Sequence, residues 1–109
     1  MKEDLIEYHP NGKIKHEISF WGNGQKYHEQ FYDKRGNFHR KQGLPACQLW
    51  YSNERKSYAS YGINGRYHNI CNPARIWYFE FSKIWEKHYY INDNQFNNKL
   101  NWQNMIKNI

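Results

Sequence analysis

The chain has 109 residues, enough for one domain. About half of its 39% apolar content is aromatic (ten Tyr, six Phe, five Trp), which excludes a disordered chain despite a mean hydropathy of -1.17 and suits a thin fold with little interior volume. The net charge is +6, rising to +8 from Tyr8 onward, and favours acidic or polyanionic partners.

The opening residues carry Glu3, Asp4 and Glu7 and no apolar run, so they do not read as a secretion signal, and no stretch approaches the ~20 apolar residues of a membrane span. Residues 13–21 alternate Ile14, Ile18 and Phe20 with Lys15, Glu17 and Ser19, a strand pattern, and 27–32 alternate in the same way. Turn signals then punctuate the chain at Asn11-Gly12, Asn23-Gly24, Arg35-Gly36, Asn53-Glu54, Asn64-Gly65, Ser82-Lys83 and Asn92-Asp93. The Asn-Gly pairs read as type I′ hairpin turns, in which both central residues take positive φ. Residues 75–81 (RIWYFEF) are apolar on both sides, so this strand is either covered twice or presents a sticky aromatic surface.

Two stretches, 32–60 and 61–89, repeat each other. Tyr32, Tyr61 and Tyr90 are 29 residues apart, as are Gly36 and Gly65, and His39 and His68. Pro45-Ala46 answers Pro73-Ala74 at a spacing of 28, so one residue has been gained or lost between the copies. A fixed period of this size marks units that bury their faces against their neighbours. The tail differs: Trp102, Ile106 and Ile109 recur at helical spacing, with Asn97 or Asn98 as N-cap, and this short helix is expected to cap the last sheet edge.

Chemistry is sparse. Repeat-equivalent His39 and His68 should lie two strands, ~9–10 Å, apart, too far to share a zinc ion; each reads as a packing histidine bonded to a backbone carbonyl. Glu80 and Glu86 flank one turn and read as solvated or paired with Lys83 or Lys87. There is no Ser/His/Asp order, P-loop, GxGxxG or CxxC. Cys47 and Cys71 occupy non-equivalent repeat positions and read as reduced thiols of an intracellular protein. The richness in Asn, Lys and Ile hints at an AT-rich bacterial, phage or large-virus genome.

Residues 8–25 (YHPNGKIKHEISFWGNGQ) resemble variant MORN repeats of bacterial antitoxin-like proteins. The longer units resemble a related NGxxHRxxGPA repeat of large-virus and bacterial proteins: Gly36, His39, Arg40, Gly43, Pro45 and Ala46 match it with Leu44 inserted, and Gly65, His68, Pro73 and Ala74 match it in the second copy, where Asn69 and Asn72 replace the Arg and Gly. The resemblance covers roughly residues 8–96 and implies an interaction scaffold.

The sequence thus predicts an all-β antiparallel meander of about seven or eight strands over 1–96 with a capping helix over 97–109. It predicts a cytoplasmic, non-catalytic module without cofactor or metal that binds a protein of acidic surface, in the manner of an antitoxin or a phage- or virus-encoded inhibitor; the alternative partner is single-stranded nucleic acid. The expected contacts are a basic rim (Lys34, Arg35, Arg40, Lys41, Arg55, Lys56, Arg66) and the aromatic residues Tyr32, Trp50, Tyr61 and Trp77.

Overall fold

The computed structural model describes residues 3–108. Ten strands form: β1 Leu5–Tyr8, β2 Ile14–Phe20, β3 Lys26–Phe31, β4 Cys47–Trp50, β5 Lys56–Ser60, β6 Gly62–Ile63, β7 Arg66–Tyr67, β8 Arg75–Tyr78, β9 Ile84–Ile91 and β10 Asn94–Phe96; one helix follows, α1 Lys99–Lys107. Eight of them pair in the order β1-β2-β3-β4-β5-β8-β9-β10, antiparallel throughout, and β6–β7 is a separate small hairpin. The extents are 47 × 39 × 17 Å, so the molecule is one sheet thick; two packed sheets alone would stand ~10 Å apart before their outer side chains were counted.

All seven turn signals mark turns, but of two kinds. At 9–13, 21–25, 33–37, 51–55 and 79–83 the first residue's N–H donates to the carbonyl four residues on, and only the fourth residue has positive φ: Gly12 (86°), Gly24 (86°), Gly36 (91°), Glu54 (73°) and Ser82 (71°). The type I′ expectation therefore fails at Asn11-Gly12 and Asn23-Gly24, where the Asn side chain instead accepts the N–H two residues on, at 3.0 Å in both cases, and stabilises a five-residue turn. It holds at Asn64-Gly65 (φ 53° and 80°), and Asn92-Asp93 adopts the same geometry (48° and 70°). Beside four of the long tips the register steps by one residue, leaving Lys15, Tyr27, Ser57 and Trp85 as the extra residues of β-bulges.

The repeat is real, with a different alignment. Bridges join Tyr32 to Phe38, Gly62 to Tyr67 and Tyr90 to Gln95, so Tyr32, Gly62 and Tyr90 are equivalent, and Phe31, Tyr61 and Tyr89 precede them. Tyr61 accordingly lies on the opposite face from Tyr32 and Tyr90. The first copy has two extra residues, one in the turn 33–37 and one at Leu44, and the even 29-residue spacing averages over them. Gly62 stands where its equivalents carry a ring because Phe38 occupies that space: a Cβ on Gly62 would lie 2.0 Å from Phe38 Cε2.

Opposed residues in an antiparallel pair share a face, which separates a helix face from an open face. On the helix face Ala46, Ala59, Ala74 and Ile76 are buried, and Tyr89, Ile91 and Trp102 form a cluster at the end of the sheet. The Trp102 ring packs 4.7 Å from that of Tyr89, and its Nε1 donates to Asn69 O at 3.0 Å. The Asn98 side chain caps α1 by accepting from Asn101 N. The helix thus seals the face of β9 and β10, and β10 itself remains an edge; Ile109 lies outside the described residues. Among the described residues no helix is long and apolar enough to cross a membrane.

Candidate partner-binding face

Successive hairpin tips are tied together by side chains. On one side of the sheet Asn11 Nδ2 donates to Lys34 O (2.8 Å); on the other, Asn23 donates to Ser52 O (3.0 Å) and Asn53 to Glu80 O (3.3 Å). A second rung starts from the first residue of each of these two turns: Trp21 Nε1 donates to Trp50 O (3.0 Å) and the Tyr51 hydroxyl to Tyr78 O (2.6 Å). At the β8–β9 tip the equivalent residues are Phe79 and Phe81, which have no side-chain donor. The series ends there, and the side chains stand in solvent: Phe81 is 71% exposed and Phe79 54%, with Ile84 and Trp85 about half exposed beside them.

These rings run onto the open face. Phe79 lies 6.1 Å from Trp85, Trp85 6.2 Å from Trp77, and Trp77 5.2 Å from Tyr58 and 5.0 Å from His88. The β9 bulge makes this possible, since it turns Trp85 to the same side as Glu86 and Trp77. Arg75 stands in the middle. Its guanidinium carbon is 4.6 Å from the Tyr67 ring centre and 4.7 Å from that of Trp77, and its Nε donates to the Tyr58 hydroxyl at 3.0 Å. Tyr90 completes the surround, 5.2 Å from Tyr67. The concavity over this platform has a volume of about 460 Å³ and is lined by Leu49, Tyr51, Tyr58, Arg75, Trp77 and Trp85, among others.

The expected basic rim divides. Lys34, Arg35 and Arg66 do meet, around an open hollow of about 640 Å³ at one end of the strands. Burial pushes the Asp33 carboxyl there upward, and hydrogen bonds from Asn37 and Arg35 more than offset it, holding the group below its usual range. Arg40 is not a rim residue. Its guanidinium lies 3.9 Å over the Phe31 ring and donates to Pro45 O, the job Asn69 does for Pro73 O in the second copy. Lys41 is exposed; Arg55 is exposed and Lys56 half-buried at the opposite end of the strands.

Of the four expected rings only Trp77 belongs to the platform. Tyr32 is on the open face but its hydroxyl donates to Glu17, and burial with that carboxylate pushes its pKa far above the usual value. Trp50 and Tyr61 face the helix side, where Lys26 sits 5.4 Å over Trp50 and burial raises the Tyr61 pKa. Arg75, Tyr58, Phe79 and Trp85 also belong to this face and are not among the contacts expected from the sequence. The available signal was the strand 75–81, apolar on both sides.

His39 and His68 are packing residues, but they accept rather than donate: Nδ1 of each takes the backbone N–H of the next hairpin, from Asn64 at 2.9 Å and from Asn92 at 3.2 Å. Glu29, buried in the helix face, is held by His16 at 2.7 Å and Gln48 at 3.3 Å. Among the described residues no group of three or more His, Cys, Asp or Glu is placed to hold a metal ion. No family model matches the chain, and neither a curated protein nor a solved structure does.

Proposed function

We propose that this chain is a non-catalytic protein-binding module whose contact surface is the β8–β9 tip and the open aromatic face behind it. The observation that carries this reading is the end of the tip series. Where earlier tips place an Asn and a ring donor on their neighbours, the last tip places Phe79 and Phe81 in water. Clustered exposed rings of this kind are costly on a solitary chain and form the centres of protein interfaces. A rigid, single-layer binder of this shape suits occlusion of a partner's surface, as an antitoxin or an inhibitor acts.

The test compares capture by three proteins: the parent, Phe81→Ser/Trp85→Ser, and Lys34→Glu/Arg35→Glu. A partner retained by the parent and the charge-reversed protein but lost by the ring variant supports the reading. The hollow of Lys34, Arg35 and Arg66 favours a second reading, single-stranded nucleic acid. Binding of random oligonucleotides that weakens steeply with salt and disappears on charge reversal would replace the first reading with that one.

A further inference from the structure

We infer that Arg75 is the receptor for a single carboxylate group of the partner protein, presented beside an apolar or aromatic side chain. This rests on the protein-binding reading above and names the chemistry of its ligand.

Arg75 is half-buried on the open face, and among the described residues no Asp or Glu pairs with it. Its neighbours are Tyr58, Tyr67, Trp77 and Tyr90. Hydroxyls and ring faces hold a guanidinium in place and satisfy part of its hydrogen bonding, but they supply no counter-charge. A partly desolvated guanidinium with a fixed plane and remaining donors is suited to two-point recognition of a carboxylate. The surrounding Leu49, Trp77 and Trp85 line the same concavity, so the group that bears the carboxylate meets apolar walls.

Charge decides between a carboxylate and a phosphate chain. Lys34, Arg35 and Arg66 line a different hollow, at one end of the strands. Besides Tyr58, Tyr67 and Tyr90, the platform brings His88, the cross-strand partner of Arg75, and Glu86, which lies 3.5 Å from His88. One guanidinium facing one carboxylate in an apolar surround matches a single negative charge. A dianion, or a backbone with a phosphate at every unit, would meet Glu86 with no second lysine or arginine among the described residues that line the concavity.

The experiment uses the full chain and three small probes of one shape: phenylacetate, phenylacetamide and phenyl phosphate. Binding is read from the Arg75 Nε–H and the Trp77 and Trp85 indole N–H signals by NMR. A charge-assisted bond exceeds a neutral one enough that phenylacetate should bind about tenfold more tightly than phenylacetamide. The preference should vanish in Arg75→Gln, while Lys34→Glu leaves it intact. Because Arg75→Gln removes packing as well as charge and can unfold the sheet, the probe comparison on the unaltered chain decides by itself. Equal binding of acid and amide, or no shift of these signals by either, overturns the inference and leaves the protein-binding reading standing. A preference for phenyl phosphate overturns it in favour of a phosphate ligand. A partner still retained by the Phe81→Ser/Trp85→Ser protein, while the acid preference holds, would instead sink the protein-binding reading alone.

Discussion

Gly62→Ala should be among the most damaging single-methyl additions available to this protein. The added Cβ would sit 2.0 Å from Phe38 Cε2 and 2.3 Å from Cδ2, whereas carbons in contact stand roughly 3.5–4.0 Å apart, so one side must move by ~1.5 Å. The backbone is pinned, because Gly62 O accepts from Arg40 N at 3.0 Å and Gly62 pairs with Tyr67. The ring must therefore yield, and with it the Phe38–Tyr67 contact at 5.1 Å. Overpacking costs roughly 1–3 kcal/mol and a lost aromatic pair about 0.5–1.5 kcal/mol, which gives ~2–4 kcal/mol together. Gly62 does not have positive φ, so backbone strain adds nothing. The midpoint of thermal unfolding should fall by roughly 10 °C or more. Combined with Phe38→Ala, the substitution should become nearly neutral, a coupling that a double-mutant cycle reads directly. A Gly62→Ala protein within ~0.5 kcal/mol of the parent, or costs that simply add, would refute the packing and with it the equivalence of Tyr32, Gly62 and Tyr90.

Three further outcomes follow from the same geometry. Glu54→Gly and Ser82→Gly should each stabilise by about 1 kcal/mol in urea unfolding, since both hold the left-handed position that glycine fills in the earlier tips. Trp102→Ala should cost about 3 kcal/mol or more, because it empties the buried slot between Tyr89 and Asn69. Burial pushes the Cys47 thiol up to about 11 and Cys71 is exposed, so at neutral pH an alkylating reagent should label Cys71 alone; the neutral Cys47 thiol is favoured by the fold until the pH rises through that value.

Much of the fold was legible because turn chemistry is local. Asn, Gly and Asp at six places and Ser82 at a seventh mark seven turns, and alternation between them marks strands, so the meander and its single thickness follow. The helix was legible from three residues at helical spacing. The type of turn was not legible at Asn11-Gly12 and Asn23-Gly24, since the same dipeptide serves a two-residue and a five-residue loop and only strand register separates them. Nor was the repeat alignment, because the extra residue in the turn 33–37 is masked by a tyrosine that falls at the right spacing on the wrong face. The site was the least legible part. Arg40 looks like a surface cation, and its commitment to Phe31 and Pro45 depends on a loop folding back across the sheet. Arg75 looks ordinary until β5, β7 and β9 bring Tyr58, Tyr67 and Tyr90 around it.

Photo-crosslinking reads out which end of the sheet meets the partner. A benzophenone side chain is placed at Phe81 in one protein and at Lys34 in another, and the adducts formed in cells of the native host are compared. One defined protein adduct is expected from position 81 and none from position 34. An adduct from position 34 alone, or one in which the captured species is nucleic acid, would contradict the proposed function.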